Sequence, residues 1–194
     1  MPNFSLPSTE YVIQKFKSVI TKKWNPTSND FKVTYKKNIA DLFVSIDKNN
    51  NSKVTLSEFK NIIKEWASMT DDECVVLFDF LNENKNKFLV YTEMIYQIHN
   101  ILYPIRHSLT VNVFKKLDKQ NLKMISLSDL AHFPSSIDKY KFLSTVVGPY
   151  NANDTLIITR DEYMSYYVDN SINTKNDDIY MSNLCDTWKV SMNE

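Results

Sequence analysis

A chain of 194 residues with 43% apolar and 24% charged content can bury a substantial core, as one domain or as two small lobes. Its one glycine, Gly148, argues against any glycine-rich cradle for phosphate. Formal charge sums to zero but is uneven. Residues 1–40 carry Lys15, Lys17, Lys22, Lys23, Lys32, Lys36 and Lys37 against Glu10 and Asp30, whereas residues 151–194 carry eight acids against three bases. Solvated helix faces of opposite sign account for this spread, and an anionic partner for the basic N-terminus is the alternative.

Met1–Glu10 lacks the charged start and apolar run of a secretory signal, and no stretch approaches the roughly 18 apolar residues of a membrane span. Proline at position 2 rules out N-myristoylation. A cytoplasmic location is expected, with vesicle or granule association as the alternative. Cys74 and Cys185 stand far apart without a motif and read as buried thiols. His99, His107 and His132 lie in separate segments without zinc-type spacing or an adjacent nucleophile. They read as surface or helix-end residues, and no enzyme is expected.

Residues 1–30 form a helical arm. Pro7-Ser8-Thr9-Glu10 opens a helix whose apolar face holds Tyr11, Val12, Ile13, Phe16, Val19 and Ile20, and that face is expected to pack on the rest of the chain. Pro26-Thr27-Ser28-Asn29-Asp30 breaks it, and a second helix begins near Phe31. Ile39, Leu42, Phe43 and Ile46 recur at helical spacing.

Asp47 to Glu58 follows, with oxygen-bearing side chains at positions 1, 3, 5, 9 and 12 of a twelve-residue loop. A hard cation such as calcium takes roughly six to eight oxygens at about 2.3–2.6 Å, which this spacing can supply. Asp47, Asn49 and Asn51 would each give one side-chain oxygen, Lys53 its backbone carbonyl, and Thr55 a direct or water-bridged contact. Glu58 would close the shell with two oxygens. Position 6, where positive φ favours glycine, is Ser52, at a cost of about 1 kcal/mol. Beyond the loop, Leu56, Phe59, Ile62, Ile63 and Trp66 resume the helical period.

Thr70-Asp71-Asp72-Glu73 is a capping-box sequence, and Cys74, Leu77, Phe78 and Leu81 continue its helix. The next loop, residues 82–93, keeps oxygens at Asn82, Asn84, Asn86 and Glu93, with the Phe88 carbonyl at position 7. Three of those donors are neutral amides, Val90 replaces the polar ninth residue, and Lys87 occupies the turn, so this is a weak second site. The exit helix stops before Pro104. Leu109, Val113, Phe114 and Leu117 lead into loop 118–129, where Leu122 removes a ligand and Asp129 is too short to chelate. Pro134-Ser135-Ser136 punctuates, and Tyr140, Leu143, Val146 and Val147 mark a fourth entering helix. In loop 151–162, Asn151, Asn153, Thr155, Thr159 and Glu162 hold ligand positions, but Gly148-Pro149 disrupts the run-in and Leu156 sits at the turn. From Asn176-Asp177-Asp178 a last helix carries Met181, Leu184 and Trp188.

Loop starts at 47, 82, 118 and 151 are spaced by 35, 36 and 33 residues, and position 8 is Val54, Leu89, Ile125 and Ile158 in turn. Phe43, Phe78 and Phe114 each stand four residues before a loop. Val54 is expected to pair with Leu89 and Ile125 with Ile158. This pattern from about 30 to 170 resembles the four-EF-hand calmodulin superfamily. It is most similar to sarcoplasmic-type and calexcitin-like calcium-binding proteins, with grainin-type proteins of protists as a further resemblance.

The resemblance implies an all-α fold of four EF-hand units in two pairs with extra terminal helices. The N-terminal arm would be 1–30, the first pair 31–103, the second, degenerate pair 104–170, and the C-terminal helix 171–194. It also implies Ca2+ as the bound ion and a role as sensor or buffer, with a target protein if a sensor. A calcium-independent EF-hand scaffold is the alternative. Lys15, Lys17, Lys22 and Lys23 around an apolar helix face make an anionic membrane surface a further candidate partner. Nucleic acid is not expected, since no groove-reading fold accompanies the basic arm.

Overall fold

The computed structural model describes residues 6–28, 30–131, 137–146 and 157–191. Among them the chain is mostly helical, with ten helices and one small antiparallel two-stranded sheet. It divides into two compact units, Met1–Leu102 and Tyr103–Glu194.

In the first unit, α1 spans Thr9–Trp24, with the Ser8 hydroxyl accepting the Tyr11 N–H as N-cap. Asn25 ends it in the left-handed region at φ 45°, a conformation asparagine tolerates better than most residues. Val12, Phe16 and Ile20 are its buried face, and Tyr11 turns outward, 55% exposed. The expected apolar face is therefore narrower by Tyr11. Four helices follow: α2 (Phe31–Ile46), α3 (Leu56–Trp66), α4 (Asp71–Leu81) and α5 (Tyr91–Leu102). α3 packs on α4, and α2 packs on α5 and α3. Thr55 with Glu58 and Thr70 with Glu73 form complete capping boxes at the starts of α3 and α4. The core holds Ile39, Ile46, Phe59, Ile63, Leu77 and Leu81, all without solvent exposure. Phe59 and Phe78 meet edge to face at 5.4 Å, as do Phe43 and Tyr91 at 5.7 Å.

The second unit begins with α6 (Pro104–Leu117), whose proline occupies the first turn, where its missing N–H costs nothing. β1 (Met124–Ser126) leads to the short α7 (Leu127–Ala131) and then α8 (Ile137–Val146). β2 (Ile157–Thr159) pairs antiparallel with β1, followed by α9 (Arg160–Asn173) and α10 (Asp177–Trp188). α10 starts at an Asn176 cap and packs on α6 and α8. An aromatic cluster fills this unit: Phe142 contacts Tyr163, Tyr167 and Trp188 at centroid distances of 5.7, 5.9 and 5.3 Å. The Trp188 indole donates to the Tyr167 hydroxyl at 2.6 Å.

Several expected faces rotate. Among the described side chains of α8, Phe142 is buried while Leu143 and Val146 are half-buried, and the side chain of Tyr140 lies outside the described residues. Met181 is 39% exposed, and Tyr180 takes the inward position beside Leu184 and Trp188. His99 and His107 are buried at 1% and 7% exposure rather than on the surface, although His99 does lie in the last turn of its helix. Cys74 is buried, and burial pushes its thiol up to about 11. Cys185 is only half-buried, and both thiols are free. His132, Pro134-Ser135-Ser136, Val147, Gly148-Pro149, Asn151, Asn153, Thr155 and Leu156 lie outside the described residues.

Candidate metal loops

The loop from Asp47 to Glu58 is wrapped around its first side chain. Asp47 is 5% exposed, and its Oδ1 and Oδ2 accept the backbone N–H groups of Asn51 at 3.2 Å and Ser52 at 2.8 Å. Asn49 Oδ1 accepts the Asn51 N–H at 3.1 Å, and Asn51 Oδ1 accepts the Lys53 N–H at 2.9 Å. These side-chain-to-backbone bonds replace a regular ladder over a stretch that has none. The turn is completed by two residues in the left-handed region, Asn50 at φ 54° and Ser52 at φ 61°. Ser52 thus holds the strained position expected of it.

Glu58 closes the loop from the other end. Its Oε2 accepts both the Thr55 N–H at 2.9 Å and the Thr55 hydroxyl at 2.7 Å. Its Oε1 accepts the Asn49 side-chain amide at 2.8 Å. The backbone and hydroxyl hydrogen bonds from Thr55 hold this carboxyl below its usual range, against a small opposing effect of burial. Positions 1, 3, 5, 9 and 12 are therefore drawn around one turn. Each oxygen engaged in a single hydrogen bond keeps a second lone pair.

Loop 82–93 follows the same plan with weaker parts. Asn82, 3% exposed, accepts the Asn86 N–H at 3.1 Å, while its amide nitrogen donates to the Asn86 carbonyl. The Asn84 amide donates to Glu93 Oε1 at 2.7 Å, matching the Asn49–Glu58 bond. Lys85 at position 4 is left-handed at φ 53°, but Lys87 at position 6 is not, so the second half of the turn differs from that of the first loop. Lys85 directs its ammonium to Asp79 on α4 at 2.8 Å.

Between these loops, Val54 and Leu89 exchange two backbone hydrogen bonds of 2.9 Å as an antiparallel bridge. Ile125 and Ile158 pair at the centre of the β1–β2 ribbon. Both position-8 pairings match the sequence expectation. Beside the first bridge, the Lys53 ammonium lies 5.6 Å from the centroid of the Phe88 ring.

Loop 118–129 has the shape but lacks the position-5 donor, which is Leu122. Asp118 accepts the N–H groups of Leu122 at 2.9 Å and Lys123 at 2.8 Å, and Asn121 and Lys123 are left-handed at φ 54° and 58°. Asp129 caps α7 through the Ser126 N–H and hydroxyl at 2.9 and 2.6 Å. Of loop 151–162, Thr159 and Glu162 are described and form the capping box of α9. In all four loops, then, the acid at position 12 bonds back to position 9, although Val90 lacks the hydroxyl and offers Glu93 only its N–H, at 3.2 Å.

Among the described residues, no three His, Cys, Asp or Glu side chains come together as a metal-holding group. The first loop has two carboxylates, Asp47 and Glu58, and its other donors are amides, a carbonyl and a hydroxyl. That set suits a hard, oxygen-seeking cation and not a soft one. None of the described helices is long and apolar enough to cross a membrane. Comparison of the chain with protein-family models and with curated proteins gives no match.

The signal missed in the sequence is a buried arginine in the second unit. Arg106 on α6 donates Nε to Asp177 at 2.6 Å and Nη1 to the Ser171 and Thr174 carbonyls, with its guanidinium 5.1 Å from the Tyr103 ring centroid. It ties the end of α9 and the start of α10 to α6. Its partners lie 65 to 71 residues away, beyond the reach of any local pattern.

Proposed function

We propose that the chain is a calcium-binding protein of EF-hand type, with its working site at Asp47, Asn49, Asn51, Lys53, Thr55 and Glu58. The observation that carries this reading is the closure of the first loop, in which the Asn49 amide reaches Glu58 across the turn while Asp47 gathers the backbone of positions 5 and 6. Ca2+ would supply charge to draw these oxygens inward. To coordinate it, Asn49 would rotate its amide to present Oδ1, and Glu58 would exchange hydrogen bonds for coordination by both oxygens. Two carboxylates offset little of the cost of dehydrating the ion, so weak binding is expected. Asn82, Asn84, Asn86, Phe88 and Glu93 would form a weaker second site with one carboxylate. Calcium should raise the melting temperature of the protein above its value in a chelator, and magnesium should do so less. No difference between calcium and chelator would refute the reading.

A sensor would open on binding and expose apolar surface to a target protein, whereas a buffer would not. Phe59 and Ile63 are fully buried, and Ile62 and Trp66 on the same helix are half-buried and could line such a surface.

A calcium-independent scaffold is the second reading, and one observation favours it. The position-12 acids cap their helices in every loop, including loop 118–129, where Leu122 removes a ligand and Asp129 is too short to chelate. Capping gives these residues a structural role that needs no ion. Calcium-dependent uptake of an apolar dye would separate a sensor from this scaffold.

A further inference from the structure

Trp24 ends α1 and Trp66 ends α3, and both bound a cavity with one stripe of α2, formed by Asn38, Asp41, Leu42 and Ser45. Its volume of about 310 Å³ is at the lower end of the roughly 300–1,000 Å³ of small-molecule sites. Two of its walls are indoles. Their ring centroids are 5.9 Å apart with the planes at 56°, and the fully buried Phe16 supports Trp66 at 6.0 Å. Both tryptophans are half-buried. An indole face carries the negative lobe of the ring quadrupole and attracts cations. Trp66 already does so within the chain, since the Lys23 ammonium lies 5.1 Å from its ring centroid.

The polar wall has the same preference. Asp41 is the only charged residue among the six that bound the cavity. Its side chain is 62% exposed, and Lys37 reaches its Oδ2 at 2.5 Å, an exposed pair weak enough for an incoming cation to share. The Ser45 hydroxyl donates to the Leu42 carbonyl at 2.7 Å, and the Asn38 amide donates to the Thr34 hydroxyl at 3.5 Å. Donor capacity is thus spent along α2, while oxygen lone pairs remain. Ring faces, lone pairs and one carboxylate disfavour an anion. A strongly hydrated metal ion gains little from an indole, whereas a methylated ammonium loses little water and gains from both walls. We propose that this cavity binds a free small molecule bearing a quaternary ammonium group, with its methyl groups against Trp24 and Trp66 and its charge beside Asp41. No residue of the loop from Asp47 to Glu58 bounds the cavity, so the inference is independent of calcium binding there.

The test is a titration of choline into the full chain in the presence of a chelator, followed by the indole N–H resonances. Those of Trp24 and Trp66 should shift saturably at millimolar choline, and that of Trp188, in the other unit, should not. The uncharged isostere of choline, with carbon in place of nitrogen, fills the same space and should bind at least tenfold more weakly. Asp41→Asn changes an exposed side chain, so the variant should fold, and its affinity for choline should fall about threefold, as for the loss of one exposed ion pair. No saturable shift up to tens of millimolar choline, equal affinity for the isostere, or unchanged affinity in Asp41→Asn would each overturn the proposal. Binding to phosphatidylcholine vesicles without binding of free choline would also overturn it, by making a membrane headgroup the occupant.

Discussion

Asn49 donates its side-chain amide to Glu58 at 2.8 Å, joining the third and twelfth positions of the first loop. An amide there stabilises the closed loop but adds no negative charge. Asn49→Asp would set three carboxylates around one turn. Calcium affinity should rise roughly tenfold, equivalent to about 1.4 kcal/mol. The metal-free protein should melt lower, because the hydrogen bond to Glu58 becomes a repulsion. Paired melts in chelator and calcium would show both shifts with opposite sign.

Ser52 and Lys123 occupy the same turn position in their loops at φ 61° and 58°. Each carries a Cβ in a region that favours glycine. Ser52→Gly and Lys123→Gly should each raise unfolding stability by about 1 kcal/mol in denaturant titrations, with the slope unchanged. Lys87→Gly should not, because position 6 of the second loop is not left-handed.

Acid should loosen the contact between α1 and α4. Burial pushes the Glu73 carboxyl up, but the Lys15 hydrogen bonds, the Thr70 N–H, the Lys15 charge and the Tyr11 hydroxyl together outweigh it, leaving the group below its usual range. A carboxyl depressed by folding contributes stability that is complete above its unfolded value, near pH 4.5, and is lost as pH falls through its folded value. Glu73→Gln should therefore be less stable than wild type at pH 7 and lose less on acidification below that value. Parallel thermal melts from pH 7 to the acid limit would check this.

Arg106 should matter more through carbonyls than through its acid partner. Its side chain is 6% exposed, whereas that of Asp177 is 49% exposed. Arg106→Ala strands the Ser171 and Thr174 carbonyls and should cost about 3 kcal/mol of stability. Asp177→Asn should cost less than Arg106→Ala, because Asp177 is half exposed and the guanidinium keeps its bonds to the Ser171 and Thr174 carbonyls. Chemical denaturation of the two variants compares them directly.

Helix ends were the most legible features, because their signals are local. Ser8, the Thr70–Glu73 box, Pro104 and Asn176 all act where their residue types imply. Position-8 pairing was also readable, since the 33- to 36-residue repeat aligns Val54 with Leu89 and Ile125 with Ile158. Face assignment failed where two helical stripes share members. Met181 and Tyr180 both fit a stripe with Leu184 and Trp188. Tyr180 lies inside because its hydroxyl meets the Thr110 hydroxyl at 2.6 Å, a partner 70 residues away. Phe142 replaced its neighbour Leu143 for a similar tertiary reason, the aromatic cluster with Tyr163 and Trp188. The donors of the first loop could be enumerated from spacing, and the Thr-x-x-Glu spacing of Thr55–Glu58 and Thr159–Glu162 carries the capping-box signature as well, whereas the bond from the Val90 N–H to Glu93 shows only in the structure.

Calorimetric titration of calcium into metal-free protein, beside Glu58→Gln, separates the two roles of that residue. Glutamine can still cap α3, so the variant should fold, but it cannot supply two charged oxygens. Binding of about one ion in the wild type, with heat that vanishes in Glu58→Gln, is the expected result. No heat up to millimolar calcium, or the same heat in both proteins, would contradict a working site at Asp47–Glu58 and leave the acid as a helix cap.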